Sequence, residues 1–345
     1  MYKVRPNIKD MTLSEIESFI VHLGKERYRA RQIMKWLYQS GATSFHEMTN
    51  LSKNFREEIA ELATIGSLLI ETIQESKDGT KKVLFKLEDG SFIESVVLQE
   101  KNHLTLCIST QVGCRMGCRF CLTGRQGLTR NLEVSEIVDQ IATLRFGIPE
   151  GRDIKNIVMM GMGEPLLNYE NVLKAIDIIT SDVGLSFSKR RITVSTCGIV
   201  PMIYQLGKDR CVNLAVSLNA TDNETRNYLM PVNKKYPLEE LIAACRDYPM
   251  PRRRMITFEY ILIDSVNDRK EDAERLSRLM NGIHCKFNLI PFNEFPESDL
   301  KKPSKERIKR FRDMLIRNNF TATIRPSKGS DILAACGQLS GKANA

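Results

Sequence analysis

At 345 residues and 42% apolar content the chain can bury a large core, enough for one big domain and a smaller companion. It carries a formal net charge of +9, no apolar run approaches a membrane span, and the opening Met-Tyr-Lys-Val-Arg-Pro-Asn is no signal segment. A membrane or exported protein is therefore not expected. Nine cysteines, an odd number with several closely spaced, argue for a reducing compartment, the cytoplasm, rather than a disulfide framework.

Helices come first. Thr12-Leu-Ser-Glu15 has the form of a capping box, and Leu13, Ile16, Phe19, Ile20 and Leu23 make one apolar stripe. The spacing predicts a second helix over about 29–38, with Trp36 on its apolar side, and a third over about 54–63. From Leu68 the period becomes that of strands, with hairpin turns at Asp78-Gly79 and Asp89-Gly90. Residues 1–66 thus read as a helical accessory domain and 67–103 as a β-ribbon linker.

Beyond Leu104 apolar strands alternate with amphipathic helices. Strands are predicted at 104–109, 156–160, 191–195, 212–218, 257–263 and 287–290, with helices at about 133–146, 169–181, 222–229, 237–247 and 268–281. Six strand–helix units define an α/β fold over 104–300, a partial (β/α)6 TIM-like barrel whose strands are buried on both faces. A helix at 303–318 and a strand at 321–325 follow, then a Gly/Ser-punctuated tail; together they form a C-terminal region, 301–345. In such barrels chemistry gathers in the loops after the strands' C-terminal ends.

The densest chemistry lies just after the first barrel strand, in Cys107-Ile-Ser-Thr-Gln-Val-Gly-Cys114-Arg-Met-Gly-Cys118-Arg-Phe-Cys121. Three thiols at C-x3-C-x2-C cannot close a tetrahedral zinc site alone, but they can hold three corners of a 4Fe–4S cube and leave the fourth iron open. This spacing, with Phe120 before the last cysteine, resembles that of radical S-adenosylmethionine (SAM) enzymes. The competing reading is a four-thiol zinc knuckle that recruits Cys107. The second strand ends in Met160-Gly161-Met162-Gly163-Glu164-Pro165, where glycine lets the backbone approach a ligand. The third ends at Ser195-Thr196-Cys197-Gly198, the fourth at Ser217-Leu218-Asn219 and the sixth at Pro291-Phe292-Asn293, all with small hydroxyl or amide groups. In the tail, Cys336 sits between two alanines and a glycine, a setting for a mobile reactive thiol. Cys197, Cys211, Cys245 and Cys285 read as bystanders.

Residues 1–103 hold fifteen Lys+Arg and fifteen Asp+Glu, so the whole positive excess lies in 104–345. It gathers in Lys189–Arg191, Lys234–Lys235, Arg252–Arg254, Lys301–Lys302 and Lys305–Arg310, and in Arg115, Arg119, Arg125 and Arg130 of the cysteine loop. Several basic runs beside one catalytic loop are expected to face RNA.

Taken together, the cysteine series, Gly-Met-Gly-Glu-Pro, Ser217-Leu-Asn219 and Ala-Ala-Cys336-Gly-Gln-Leu resemble the RlmN/Cfr family of radical SAM ribosomal RNA adenine methyltransferases. The likeness runs from the N-terminal helices to the tail. Gly163-Glu164-Pro165 resembles the branch that methylates adenine C2; a C8-methylating enzyme is the alternative, and a zinc-dependent RNA-binding protein the more remote one. The resemblance implies a 4Fe–4S cluster on Cys114, Cys118 and Cys121. It implies SAM, two molecules per turnover, held by Gly163, Glu164, Ser195, Ser217, Leu218, Asn219 and Asn293. Cys336 would carry the methyl group, which radical chemistry then activates for addition to the base. Cys107 would release the product by forming a disulfide with Cys336. Glu94, matched by its spacing from Cys107, would be a proton acceptor. The implied partners are 23S ribosomal RNA, a transfer-RNA anticodon-loop adenine that relatives also modify, and a flavodoxin- or ferredoxin-type electron donor. The chain is expected to be a monomer.

Overall fold

The computed structural model describes residues 5–296 and 298–342; the start of the chain, Met1 to Val4, and the last three residues of the tail lie outside the described residues. Helix α1 (Leu13–His22) begins at the expected capping box, with the Glu15 carboxylate accepting from Thr12 N–H at 2.8 Å. Helix α2 (Arg29–Lys35) gives way to a π-helical turn, Trp36–Ser40, where a continuous helix was expected, and α3 (Lys53–Leu62) completes the N-terminal module. This module seats on the barrel through a buried ion pair, Lys9 Nζ to Asp139 Oδ1 at 2.8 Å. Burial pushes the Asp139 carboxyl up to about 6 against the pull of Lys9.

Strands β1 (Leu69–Glu75), β2 (Lys81–Lys86) and β3 (Phe92–Gln99) form an antiparallel meander. It is no free-standing ribbon. Strand β3 pairs antiparallel with β4 (Leu104–Cys107), so the meander extends the main sheet. Next comes a hairpin absent from the sequence reading, β5 (Gln111–Cys114) and β6 (Gly127–Asn131), which clamps the two ends of the cysteine loop and its single-turn helix α4 (Leu122–Arg125).

The barrel continues with α5 (Val134–Gly147), β7 (Ile154–Met159), α6 (Tyr169–Thr180) and β8 (Ile192–Thr196). A helix not expected, α7 (Val200–Asp209), follows; Pro201 in its first turn and Gly207 near its end mask it as loop, although the Pro position is one a helix accepts. Then come β9 (Asn213–Ser217), α8 (Asn223–Leu229), α9 (Leu238–Asp247), β10 (Ile256–Leu262), α10 (Lys270–Leu279), β11 (Cys285–Pro291), α11 (Lys305–Arg317) and β12 (Thr321–Ile324). The ten-stranded sheet runs β1-β2-β3-β4-β7-β8-β9-β10-β11-β12, all parallel from β4 onward. Its two ends, β1 and β12, do not pair, so it is an open barrel, and the chain after β12 fills the opening.

Candidate active site

Parallel strands bring their C-terminal ends to one mouth, and two cavities lie there side by side. The first, about 140 Å³, is lined by Cys114, Cys118, Cys121, Gly163, Glu164, Ser195, Ser217 and Asn219. The second, about 270 Å³, runs deeper between the barrel and the tail and is lined by Cys107, Val96, Leu98, Val158, Ala215, Asn288, Asn293 and Arg325. Cys121, Glu259 and Cys336 belong to both walls.

In the first cavity, burial raises the thiol of Cys114 to about 12, that of Cys118 well above the ordinary range, and that of Cys121 as well. Among the described residues no three His, Cys, Asp or Glu side chains converge on one metal ion. A cube takes one thiolate per iron, so it needs thiols arranged around a void. These three fit it. Cys107 lines the other cavity, away from Cys114 and Cys118, which removes the fourth ligand from the zinc-knuckle reading.

Glu164 is buried beside the three thiols. Its Oε1 accepts from Leu166 N–H at 3.1 Å and its Oε2 from Cys197 N–H at 2.7 Å, yet no Lys or Arg among the described residues pairs with it. Burial raises its pKa, and these hydrogen bonds only partly counter that. A buried carboxylate with no counterion is suited to a cationic ligand. Gly163 is the position where glycine is required: φ is +102° and a Cβ there would lie 2.6 Å from the Gln111 side chain. Asn219 has a left-handed backbone at φ +58°, and its Oδ1 accepts from Ile261 N–H at 2.8 Å, fastening the end of β9 to β10. Leu218 is fully buried and contributes its backbone: N–H to Glu259 O at 3.0 Å, and a carbonyl that accepts from Arg226.

The tail is docked, where a mobile segment was expected. Leu122 N–H donates to Gly337 O at 2.6 Å, Thr123 Oγ1 to Leu339 O at 2.6 Å, and Asn293 Nδ2 to Cys336 O at 3.0 Å. Asn293 therefore holds the tail rather than standing free for an adenine edge. Gly337, at φ +86°, turns the chain where a Cβ would lie 2.7 Å from Phe120 O. Cys336 keeps exposed surface, but that surface faces the cavities. Burial, then the charge of Glu259, raise its thiol to about 11, with Arg325 opposing. Burial also pushes the Cys107 thiol up strongly, and the nearby Cys336 adds to this. Both are free thiols in this structure.

Glu94 stands off the cavity walls. Its Oε2 accepts from Ser340 and Gly341 N–H at 2.7 and 2.9 Å, and its Oε1 faces the buried Lys82 ammonium at 3.2 Å. The expected proton acceptor is here a clasp on the tail. Glu259 is the group that the sequence reading missed. It projects from mid-β10 beside Cys336, its Oε1 accepts from Asn288 Nδ2 at 2.8 Å, and burial raises its pKa. A lone carboxylate in an otherwise apolar strand was the available signal.

The basic runs divide between the two ends of the barrel. Arg119 stacks on Tyr228 and pairs with Asp299 at 3.2 Å, and Arg125 lies over Phe295, so the cysteine loop meets the segments carrying Lys234–Lys235 and Lys301–Lys302 at the mouth. Lys189–Arg191 and Arg252–Arg254 instead lead directly into β8 and β10, at the opposite end. The expectation that all these runs flank the catalytic loop is corrected.

Residues 108–277 match the radical SAM superfamily, and residues 6–65 match the ribosomal RNA large subunit methyltransferase N-terminal domain. Over 98% of its length the chain superposes on all of a radical SAM methyltransferase from Sphaerobacter thermophilus, with a TM-score of 0.92 and 45% identity. Fold and site thus define a radical SAM protein. The chain is 62% identical over 343 residues, 99% of both chains, to the dual-specificity RNA methyltransferase RlmN of Syntrophus aciditrophicus. It is 53% identical to the RlmN of Geobacter sulfurreducens over 98% of this chain and 93% of that one. The chain belongs to the RlmN family.

Proposed function

We propose that this protein is a radical SAM methyltransferase that places a methyl group on C2 of an adenine in 23S ribosomal RNA, and in a transfer-RNA anticodon loop, through a methyl-cysteine intermediate. The observation that carries the reading is the shared wall: Cys336 borders both the cavity of the three thiols and the cavity of Cys107. Cys114, Cys118 and Cys121 would hold a 4Fe–4S cluster, and Glu164 with Gly163, Ser195, Ser217, Leu218 and Asn219 would hold SAM. When bound, cluster and SAM together supply one-electron cleavage of the sulfonium.

The chain's own residues do the rest. Cys336 carries the methyl as a thioether between the two cavities, kept there by the bonds from Leu122, Thr123 and Asn293. The apolar walls Val96, Leu98, Val158 and Ala215 exclude water and accept a flat base, which must leave any stack to reach them. Once the methyl carbon is bonded to C2, the Cys107 thiol gives up its proton and its sulfur attacks the Cys336 sulfur. An S–S bond forms, the S–C bond breaks, and its electron pair returns to carbon, which takes a proton. Glu94 can act as proton acceptor only when Ser340 and Gly341 have let it go. Residues 1–66 are proposed to share in RNA contact, with 67–103 joining them to the barrel at 104–300 and 301–345 carrying the methyl-bearing thiol. The protein would work as a cytoplasmic monomer reduced by a flavodoxin- or ferredoxin-type donor; no helix among the described residues is long and apolar enough to cross a membrane.

The test is nucleoside mass analysis of 23S ribosomal and transfer RNA from cells lacking the gene and from the same cells complemented. Loss and return of 2-methyladenosine is expected. An 8-methyladenosine that follows the gene would overturn the C2 assignment.

A further inference from the structure

Arg226, in α8, is the largest side chain in the molecule with no exposed surface. Its guanidinium makes four hydrogen bonds. Nε donates to Leu218 O at 3.0 Å, Nη1 to Asn233 Oδ1 at 2.9 Å, and Nη2 to Cys197 O at 2.7 Å and Ser217 O at 3.1 Å. All four acceptors are neutral. No carboxylate among the described residues pairs with it, and burial pulls its pKa down to about 10. A lone cation in a dry interior is costly, so one that persists calls for a counter-charge.

Its surroundings identify one. The carbonyls it holds belong to the ends of β8 and β9, which form the wall of the three-thiol cavity. The same residue, Cys197, donates its backbone N–H to Glu164. The backbone of one residue thus lies between a buried anion and a buried cation, and among the described residues neither has an oppositely charged side chain of its own. Glu164 borders the cavity, where the ammonium of the proposed SAM would match it. Cys197 and Ser217, whose carbonyls Arg226 holds, line that cavity together with Cys118.

We propose that Arg226 is the fixed counter-cation of the iron–sulfur cluster held by Cys114, Cys118 and Cys121, and that it sets the cluster's reduction potential. This rests on the cluster assignment made above. On reduction the cluster and its three thiolates gain one electron and no proton, so net negative charge grows. A nearby buried cation stabilises the reduced form more than the oxidised one and raises the potential. Arg226 does not touch the reacting atoms; it is a positioning and charge-setting residue, built in because Glu164 pulls the potential the other way.

The experiment is a redox titration of anaerobically reconstituted protein, followed by electron paramagnetic resonance without SAM or RNA. Arg226→Gln removes the charge and is expected to lower the reduced-to-oxidised ratio at fixed poise at least tenfold, or about 59 mV for one electron. Arg226→Lys keeps the charge and should stay near the wild-type potential. Asn233→Asp is the isosteric arm: it sets a carboxylate where Nη1 now meets a neutral oxygen; the Asn227 amide can flip to serve the new atom, while Asn223 O and Oδ1, which now accept from Asn233, lose that donor. It too should lower the potential, and it decides the matter if Arg226→Gln does not fold. A cluster-loaded Asn233→Asp protein at the wild-type potential overturns the proposal. Wild-type protein that binds no cluster overturns both it and the assignment on which it rests.

Discussion

On the proposed mechanism, two thiols that line one cavity, Cys107 and Cys336, differ in the moment at which each acts. Cys336→Ala has no sulfur to carry a methyl and should leave RNA unmodified. Cys107→Ala should carry the methyl and form the carbon–carbon bond, then stall for want of an attacking thiol. The stalled species is a covalent protein–RNA adduct, at most one per chain, seen on a denaturing gel as a nuclease-sensitive band. The double variant should show none, as for residues acting in sequence. Ordinary turnover by Cys107→Ala would end the resolving role. The cysteines were legible because their order and spacing along the chain carry the chemistry. Arg226 was not: Asn223-Glu-Thr-Arg226 reads as the outer face of a helix, and only the packing of α8 under β8 and β9 turns that guanidinium inward. Glu259 falls between, since a carboxylate in an apolar strand is visible in sequence while its closeness to Cys336 is not.

At the scale of elements, the tail decides whether the site is assembled. It is pinned by Asp331 to Ser76 Oγ at 2.6 Å, by Gly329 N–H to Asp78 at 2.9 Å, and by the Glu94 clasp on Ser340 and Gly341. A charged hydrogen bond as buried as those of Glu94 contributes about 1.5–3 kcal/mol. Glu94→Gln removes the charge and strands the buried Lys82 ammonium. Amide exchange across 334–342, read by mass spectrometry, should then speed up roughly tenfold or more while the barrel strands stay protected. Unchanged exchange would mean that the clasp does not hold the tail. Strands β4 and β7 to β11 and most barrel helices were readable from apolar period. The tail's docking was not, because most of its partners are a backbone N–H and side chains more than 200 residues away in sequence, as for Thr123 with Leu339. Helix α7 was hidden by its own proline and glycine, and the β5–β6 hairpin by the glycines of the cysteine loop.

Over the whole molecule, the arrangement of charge sets the prediction of which end of the barrel meets RNA. Composition gives the excess of +9 but not its direction; the topology does, since runs after parallel strands lie at the mouth and runs before them lie at the far end. Lys234, Lys235, Lys301 and Lys302 are exposed and border the segments that touch the cysteine loop, whereas Arg252 and Arg253 are exposed at the base of β10. Each phosphate left without its protein cation reduces the slope of log affinity against log salt by about 0.7 for single-stranded RNA. Replacing the four mouth lysines by Gln should flatten that slope by up to about 3 and weaken binding without regard to sequence. Replacing Arg252, Arg253 and Arg254 by Gln should leave both slope and affinity as they are. Binding of an anticodon stem-loop measured across a salt series separates the two variants. A slope flattened by the arginine variant and untouched by the lysine variant would place RNA at the far end of the barrel, remote from Cys336, and would break the link drawn between the mouth and the substrate.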